Sequence, residues 1–336
     1  MSDTVHLSLD DLRDLIKRCL TRNGCDDANA DAIVNNMAWA DANAATSHGI
    51  FRLPGYVASL KSGKVDGKAA PDVSVIAPAV ARVDGKGGFA PLALERGIGK
   101  LVELAKAQGI AALSLNNIHH FAALWPEVEK VVEHDLCALA VTAASPMVAP
   151  AGGTKPFFGT NPIAFGWPRK DQPPVVFDMA TARMARGEIM IAARDGHTVP
   201  DDAGIDENGN PTTDPNEILK GAQLPFGGYK GSAISMMVEL LAGGLIGDLF
   251  SYESGAIDNK DGGPPRGGEL ILAMDPARFG NPDTWLDHSE DFFAELAKQS
   301  GARLPGSRRH KARLSTPETG VDIPKTLYDK VLELSD

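Results

Sequence analysis

The stretch ATSHGIFRLPGY, residues 45–56, sets Ser47, His48 and Arg52 within six positions. An arginine grips a carboxylate through two parallel hydrogen bonds. An imidazole beside it can pass a proton to an atom near that carboxylate. Four positions separate His48 from Arg52, so a helix would put both on one face. Ser47 is placed to orient the ring. Two carboxylates are further candidates to orient an imidazole or stabilise its cation: Asp178 at the end of FDMAT, and Glu188 behind Gly187. In FGGYKG, Lys230 stands between glycines ahead of a helix, a setting for a phosphate or carboxylate. RLPGSRR gathers Arg303, Arg308 and Arg309 on a Pro-Gly turn, a guanidinium cluster suited to a phosphomonoester. FFGTNPIAFG holds Thr160 and Asn161 between Gly159 and Pro162, a turn.

The hydrophobic pattern supplies the frame for these groups. Ser8 and Asp11 cap a helix whose stripe is Leu9, Leu12, Leu15, Ile16 and Leu20, ending at Gly24. A second helix is expected over residues 27–43 and a third over 54–60. From residue 72 the period changes to that of strands: VSVIAP, AVARVDG, IAALSLNN, CALAVTAA, FFGTNPIAFGWPR, PVVFDMAT and GGELILAMDP. Helices are expected at 90–109, 182–196, 227–247, 285–299 and 324–334, with RLPGSRRHKAR as a basic turn. The acidic stretch 197–218 reads as a long functional loop or mobile hairpin. Three parts follow: an N-terminal helical part (1–65), a sheet-containing cofactor and substrate region (66–285), and a C-terminal helical part (286–336) that packs on the first.

A net charge of -11 argues against nucleic-acid binding and against an anionic membrane surface. Three cysteines without a CxxC pair fit a reducing compartment. The first fifteen residues lack the charge and apolar run of a signal peptide, and no apolar run is long enough for a membrane span, so a cytoplasmic protein is expected. GKGGFA (85–90) matches a dinucleotide fingerprint, yet the strand before it alternates apolar and charged residues. The next strand ends in Asn116 and Asn117, not the acidic ribose ligand, so a Rossmann site is not expected. His119 and His120 lack a third ligand at metal spacing, and no metal is expected. Their loop, ahead of FAALWPEVEKVVE, suits an anionic ligand.

Taken together and in order, SHGIFR, HHFAALWP, FGTNPIAFG, FDMAT, GGYKGSAISMMVELLAGGL and RLPGSRR resemble the type-2 malate/L-lactate dehydrogenase family, over residues 8–330. HHFAALWPEVE is most similar to its imino-acid branch, the Δ1-piperideine-2-carboxylate/Δ1-pyrroline-2-carboxylate reductases. The resemblance implies an α/β (α+β) fold with a non-Rossmann NAD(P)-binding domain and a largely antiparallel sheet. It also implies a helical domain from both chain ends and a homodimer. It implies NAD(P)H-dependent reduction of cyclic ketimine carboxylates to proline or pipecolate; NADPH is expected over NADH, because the Arg308/Arg309 pair could hold a 2′-phosphate and no acidic residue is evident to repel it. A 2-hydroxy-acid dehydrogenase (malate, lactate or ureidoglycolate type) on the same scaffold is the alternative activity. By position, Ser47, His48 and Glu188 match the catalytic relay, and Arg52 and Thr160 the substrate contacts. Cofactor contacts match His120, Phe121, Ala122, Ala123, Leu124, Asp178, Met179, Ala180, Tyr229 and Lys230. They also match Arg303, Leu304, Pro305, Gly306, Ser307, Arg308 and Arg309.

Overall fold

The computed structural model describes residues 3–120, 122–143 and 145–336. Near the N-terminus, β1 (Thr4–Leu7) leads into α1 (Leu9–Arg22), α2 (Asp27–Ala42) and α3 (Leu53–Ser62). Ser8 caps α1 by accepting the Asp11 N–H at 3.1 Å, as its position before the apolar stripe demands. The far end of the chain returns to this region. Strand β11 (Val321–Pro324) pairs antiparallel with β1, and α13 (Lys325–Ser335) follows it. Leu12, Leu15, Ile16, Met37, Tyr56, Ile323 and Val331 share one core.

A seven-stranded sheet forms the centre. Its order is β2 (Asp72–Ala77), β3 (Val80–Phe89), β4 (Ile110–His119), β10 (Arg266–Met274), β5 (Cys137–Thr142), β6 (Ile163–Trp167) and β7 (Val175–Met179). Only the β3–β4 pair is parallel, joined by α4 (Ala90–Gln108); the other neighbours are antiparallel. One face carries α4 and α5 (Trp125–Val132) over Leu113, Leu115 and Ile271. The other carries α8 (Tyr229–Glu239), which runs on as a π-helical turn over 240–245, above Val141, Ile163 and Leu270. Strand β3 runs on through GKGGF with a bulge: its pairing with β4 lapses between Asp84 and Gly88, where Lys86 and Gly87 take positive φ, and resumes at Gly88 and Phe89, so the glycines serve a bulged strand and not the strand-to-helix turn of a dinucleotide fingerprint. With β10 buried on both faces, Ile271 and Ala273 face one core and Leu270 the other.

Three sequence expectations change. The helix expected over 182–196 begins only at Arg186, as α6 (Arg186–Asp195). Residues 181–183 are instead held extended: Thr181 N–H donates to Thr160 O and Arg183 N–H to Leu224 O, each at 2.8 Å. The basic turn at 303–313 is mostly helix, α12 (Ser307–Thr319). The acidic stretch after α6 packs around Ile189, Val199, Ala203 and Ile218. It is ordered by α7 (Pro215–Lys220) and by the two-residue strands β8 (Gly204–Ile205) and β9 (Ala222–Gln223). The remaining helices are α9 (Ser251–Ile257), α10 (Pro276–Phe279) and α11 (Trp285–Ala297). The last packs on the β6–β7 side: Glu290 clamps Arg169 in two hydrogen bonds, and Trp285 meets Trp167. Among the described residues, no helix is long and apolar enough to cross a membrane.

Candidate active site

Ser47, His48 and Arg52 do come together, but not on one α-helix. They occupy two successive 3-10 turns, 46–48 and 50–52, ahead of α3. The break falls at Gly49, whose ψ of -144° is not helical. Its cause lies in α2. The buried Asp41 carboxylate accepts the Ile50 N–H at 2.8 Å and fills the space a Gly49 Cβ would need, so an added methyl would strike it. Burial pushes Asp41 up to about 7. Asp41 and Gly49 therefore fix the turn that carries the imidazole.

Ser47 Oγ lies 3.0 Å from His48 Nδ1, leaving Nε2 as the nitrogen that can meet a substrate. Three influences push His48 down to about 3: burial first, then the Arg52 guanidinium, then His120. The imidazole is thus neutral while the site is free. Arg52 is itself partly sequestered; burial lowers it to about 10, which leaves it charged at neutral pH. An anion received by Arg52 would offset the charge that opposes His48 protonation, so carboxylate binding and proton uptake favour each other.

The neighbouring loops are held by buried carboxylates. Asp178 Oδ2 accepts the N–H groups of Leu124 (2.8 Å) and Trp125 (3.1 Å), tying residues 122–124 to the end of β7 and capping α5. Burial raises Asp178 to about 6 in spite of those bonds. Ala123 and Leu124 are buried, Ala122 and Ala180 are half-buried, and Met179 is exposed. Phe121 lies outside the described residues. Glu239 accepts from Asn161 Nδ2 at 2.8 Å and from Ser251 N–H at 2.8 Å. That strut holds Asn161 in a left-handed turn (φ 40°) and so fixes Thr160, whose carbonyl accepts both the N–H and the hydroxyl of Thr181.

Glu188 is exposed, and its Oε2 accepts the Ala185 N–H at 3.4 Å. Here it caps its own helix, α6, and a Cβ added to the preceding Gly187 would lie 3.7 Å from the Ser47 Cβ. Of the groups expected to orient the imidazole, Ser47 meets its Nδ1, whereas the contact shown for Glu188 is with its own helix start. His120 is turned inward. Its Nε2 lies 3.5 Å from Glu127 Oε1 and 3.6 Å from Glu269 Oε2.

The structure also offers places for a dinucleotide's phosphates. Helix α8 opens at Gly227 and Gly228, both at positive φ, with Tyr229 and Lys230 exposed. Helix α12 opens at Gly306 (φ 84°), where a Cβ would press on Val176 O and the His310 ring. Ser307 and Arg308 are exposed on its first turn, after exposed Arg303 and Pro305 and half-buried Leu304. At α8 the Lys230 and Gly231 N–H groups already donate to Gly227 O and Phe226 O, so the Lys230 side chain is the group there that suits phosphate oxygens, whereas α12 offers its helix start beside the Arg308 cation. Arg308 and Arg309 do not form one fork. Arg309 Nη2 donates to Val176 O at 2.8 Å, and its guanidinium lies 5.0 Å from the centre of the Trp125 ring.

Sequence reading missed Asp41, Glu127, Glu239 and Glu269, all buried. The one signal for Glu269 was a lone acid in an apolar strand, GELILAM. It missed as well the tie by which Arg313 of α12 binds Glu129 (2.7 and 2.8 Å) and Asn43 (3.0 Å) while lying 4.2 Å from the Trp39 ring centre.

Residues 7–332 match the family model described as malate/L-lactate dehydrogenase. The chain is 47% identical to the Δ1-pyrroline-2-carboxylate reductase of Ancylobacter novellus, over 99% of this chain and 98% of that protein. It is 48% identical to the Δ1-pyrroline-2-carboxylate/Δ1-piperideine-2-carboxylate reductase of Pseudomonas aeruginosa, over 98% and 99%. The crystal structure of Δ1-piperideine-2-carboxylate reductase from Pseudomonas syringae pvar. tomato superposes with a TM-score of 0.94 at 42% identity, over 98% of this chain and all of that one. With the fold and nearly the whole length in agreement, this chain belongs to the malate/L-lactate dehydrogenase family.

Proposed function

We propose that the protein is an oxidoreductase that reduces the C=N bond of a cyclic ketimine carboxylate, forming proline from Δ1-pyrroline-2-carboxylate and pipecolate from the six-membered ring. The observation that carries this reading is the pairing of a sequestered cation, Arg52, with an imidazole whose protonation that cation opposes. A substrate carboxylate on Arg52 would relieve that opposition. The near-identical lengths and high identity of the named reductases support the same substrate class.

Arg52 holds the carboxylate, and the ring nitrogen then faces His48. His48 takes up a proton as the carboxylate arrives and gives it to that nitrogen, forming N–H as the imidazolium N–H breaks. Ser47 fixes the ring through Nδ1. Asn161 and Glu239 hold Thr160 in place as the second substrate contact. Positioned proton donation of this kind contributes roughly 10²–10⁴-fold. The reduced nicotinamide, when bound, supplies the hydride. Residues 120–124, Asp178 to Ala180, Tyr229–Lys230 and Arg303 to Arg309 would hold it. We read NADPH as preferred over NADH because exposed Arg303 and Arg308 suit the extra phosphate, while Arg309 is engaged inside.

In the same reading residues 1–65 and 286–336 make the helical domain and 66–285 the cofactor and substrate region; the core shared by α1, α2, α3 and α13 supports it. Met236, Met237, Leu240 and Leu245 are exposed along the α8 segment, which supports a homodimer through that face. The protein is read as cytoplasmic.

A substrate panel with both reduced nicotinamides tests the reading. Δ1-pyrroline-2-carboxylate with NADPH is expected to give the highest kcat/KM, at least tenfold above oxaloacetate or pyruvate. Turnover confined to the keto acids would instead assign the hydroxy-acid activity.

A further inference from the structure

The bulge in β3 borders a cavity that the reaction above does not use. Its volume is about 210 Å³. Gly87 of the bulge lines it, with His119 of β4, Lys64 beyond α3, Ile257 and Asp258 at the end of α9, and Arg266 at the start of β10. A Cβ added to Gly87 would meet nothing nearer than Asn117 Oδ1 at 4.0 Å, so the space beside the bulge is open. The cavity takes a small metabolite and is too small for a dinucleotide. Arg52 stands at the opposite end of α3, a helix of ten residues, so about 15 Å of helix separates the cavity from the catalytic turn.

Its polar groups are incompletely paired. His119 is 4% exposed, and its Nδ1 has no hydrogen-bond partner among the described residues. Burial first, then Lys64, and more weakly Arg266, push this ring down to about 4, against hydrogen bonding to the Gly88 and Gly87 backbone. His119 is therefore neutral at pH 7. Lys64 Nζ donates to Asp258 Oδ1 at 3.1 Å and to Asp261 Oδ1 at 2.5 Å. One ammonium between two carboxylates leaves a surplus negative charge. Arg266 O accepts from Ser254 Oγ at 2.6 Å, but the exposed Arg266 guanidinium has no ion pair among the described residues. The lining thus sets an unpaired cation and a surplus carboxylate around one small space. A phosphate or a simple carboxylate would meet the cation and be repelled by Asp258. A ligand with both charges satisfies both.

We propose that this cavity is a second binding site, for a small zwitterionic α-amino acid. The ligand carboxylate pairs with the Arg266 fork. The ligand ammonium donates to Asp258 and to the neutral His119 ring, whose free nitrogen needs a partner. The aliphatic body rests on Ile257. The glycines of GKGGFA then have a use other than a phosphate cradle: the bulge they permit leaves room beside β4.

The site goes beyond the ketimine-reductase reading, which serves only to suggest L-proline as the probe. Calorimetric titration of the full-length protein with L-proline is expected to show a binding component that Arg266→Ala weakens by about tenfold or more, as loss of a charge-assisted pair implies. Arg52→Lys should leave that component unchanged, and an unaltered melting temperature will show that Arg266→Ala is folded. N-acetyl-L-proline lacks the ammonium and L-prolinamide lacks the carboxylate; each should bind at least about tenfold more weakly than proline. A crystal soaked in L-proline should show the carboxylate on Arg266 and the nitrogen beside Asp258. A chain that binds proline in this way yet fails on the ketimine would overturn the substrate reading and keep the site. Proline binding that Arg266→Ala does not touch, equal binding of N-acetyl-L-proline or inorganic phosphate, or no binding outside the Arg52 pocket would overturn the site.

Discussion

His48→Ala is expected to lower kcat on Δ1-pyrroline-2-carboxylate by roughly 10²–10⁴-fold, with the affinity for NADPH within about threefold of wild type. The size follows from what is removed. The substitution deletes the atom that delivers the proton and leaves Arg52 and the loops at 120–124 and 178–180 intact. Ser47 would lose its partner, but Asp41 and Gly49 still shape the turn. The loss should grow as pH rises, because a bulk donor becomes scarcer while the wild-type site retains its own. Steady-state rates across pH and a cofactor titration check both halves. A variant that keeps near-normal kcat would remove His48 from the role of donor.

Arg52→Lys is expected to raise KM for the ketimine by roughly tenfold to a hundredfold, with a smaller fall in kcat. Charge is kept, yet the planar fork that grips two oxygens is lost, and a charge-assisted hydrogen bond of about 1.5–3 kcal/mol goes with it. Lysine is also a more strongly hydrated point charge, poorly suited to a sequestered position. Because carboxylate capture and His48 protonation are linked, the fall in kcat should be greatest above neutral pH. An unchanged KM would show that the carboxylate is held elsewhere.

Much of this site was legible because its parts are neighbours in the chain. Ser47, His48 and Arg52 lie within one loop, and types and spacing alone suggested a carboxylate grip beside a proton donor. Their conformation was not legible. Spacing of four implied one helical face, whereas the chain turns twice around Gly49 to satisfy Asp41, a contact made across to α2. Groups brought together by topology stayed hidden. Glu127 and Glu269 are 142 positions apart in the numbering and meet only because β10 inserts between β4 and β5. The sheet itself read well, since its strands are apolar runs bounded by turn residues. The pair β1–β11 did not, being two four-residue segments from opposite chain ends. Helix α12 was missed for a different reason. SRRHKARLSTPET has almost no apolar stripe, and its Leu314 is 82% exposed. The helix is instead anchored by Arg309 on Trp125 and by Arg313 on Trp39, contacts of cations with ring faces that hydrophobic periodicity does not record.

The geometry at the centre of this account is a carboxylate on Arg52 with an imine nitrogen turned to His48. A crystal structure of the protein with NADP⁺ and pyrrole-2-carboxylate, a planar mimic of the five-membered ketimine, tests it directly. The carboxylate is expected on the Arg52 guanidinium, with the ring nitrogen within hydrogen-bond reach of His48 and the ring stacked on the nicotinamide. A ligand whose carboxylate lies on another cation, or whose nitrogen points away from His48, would contradict it.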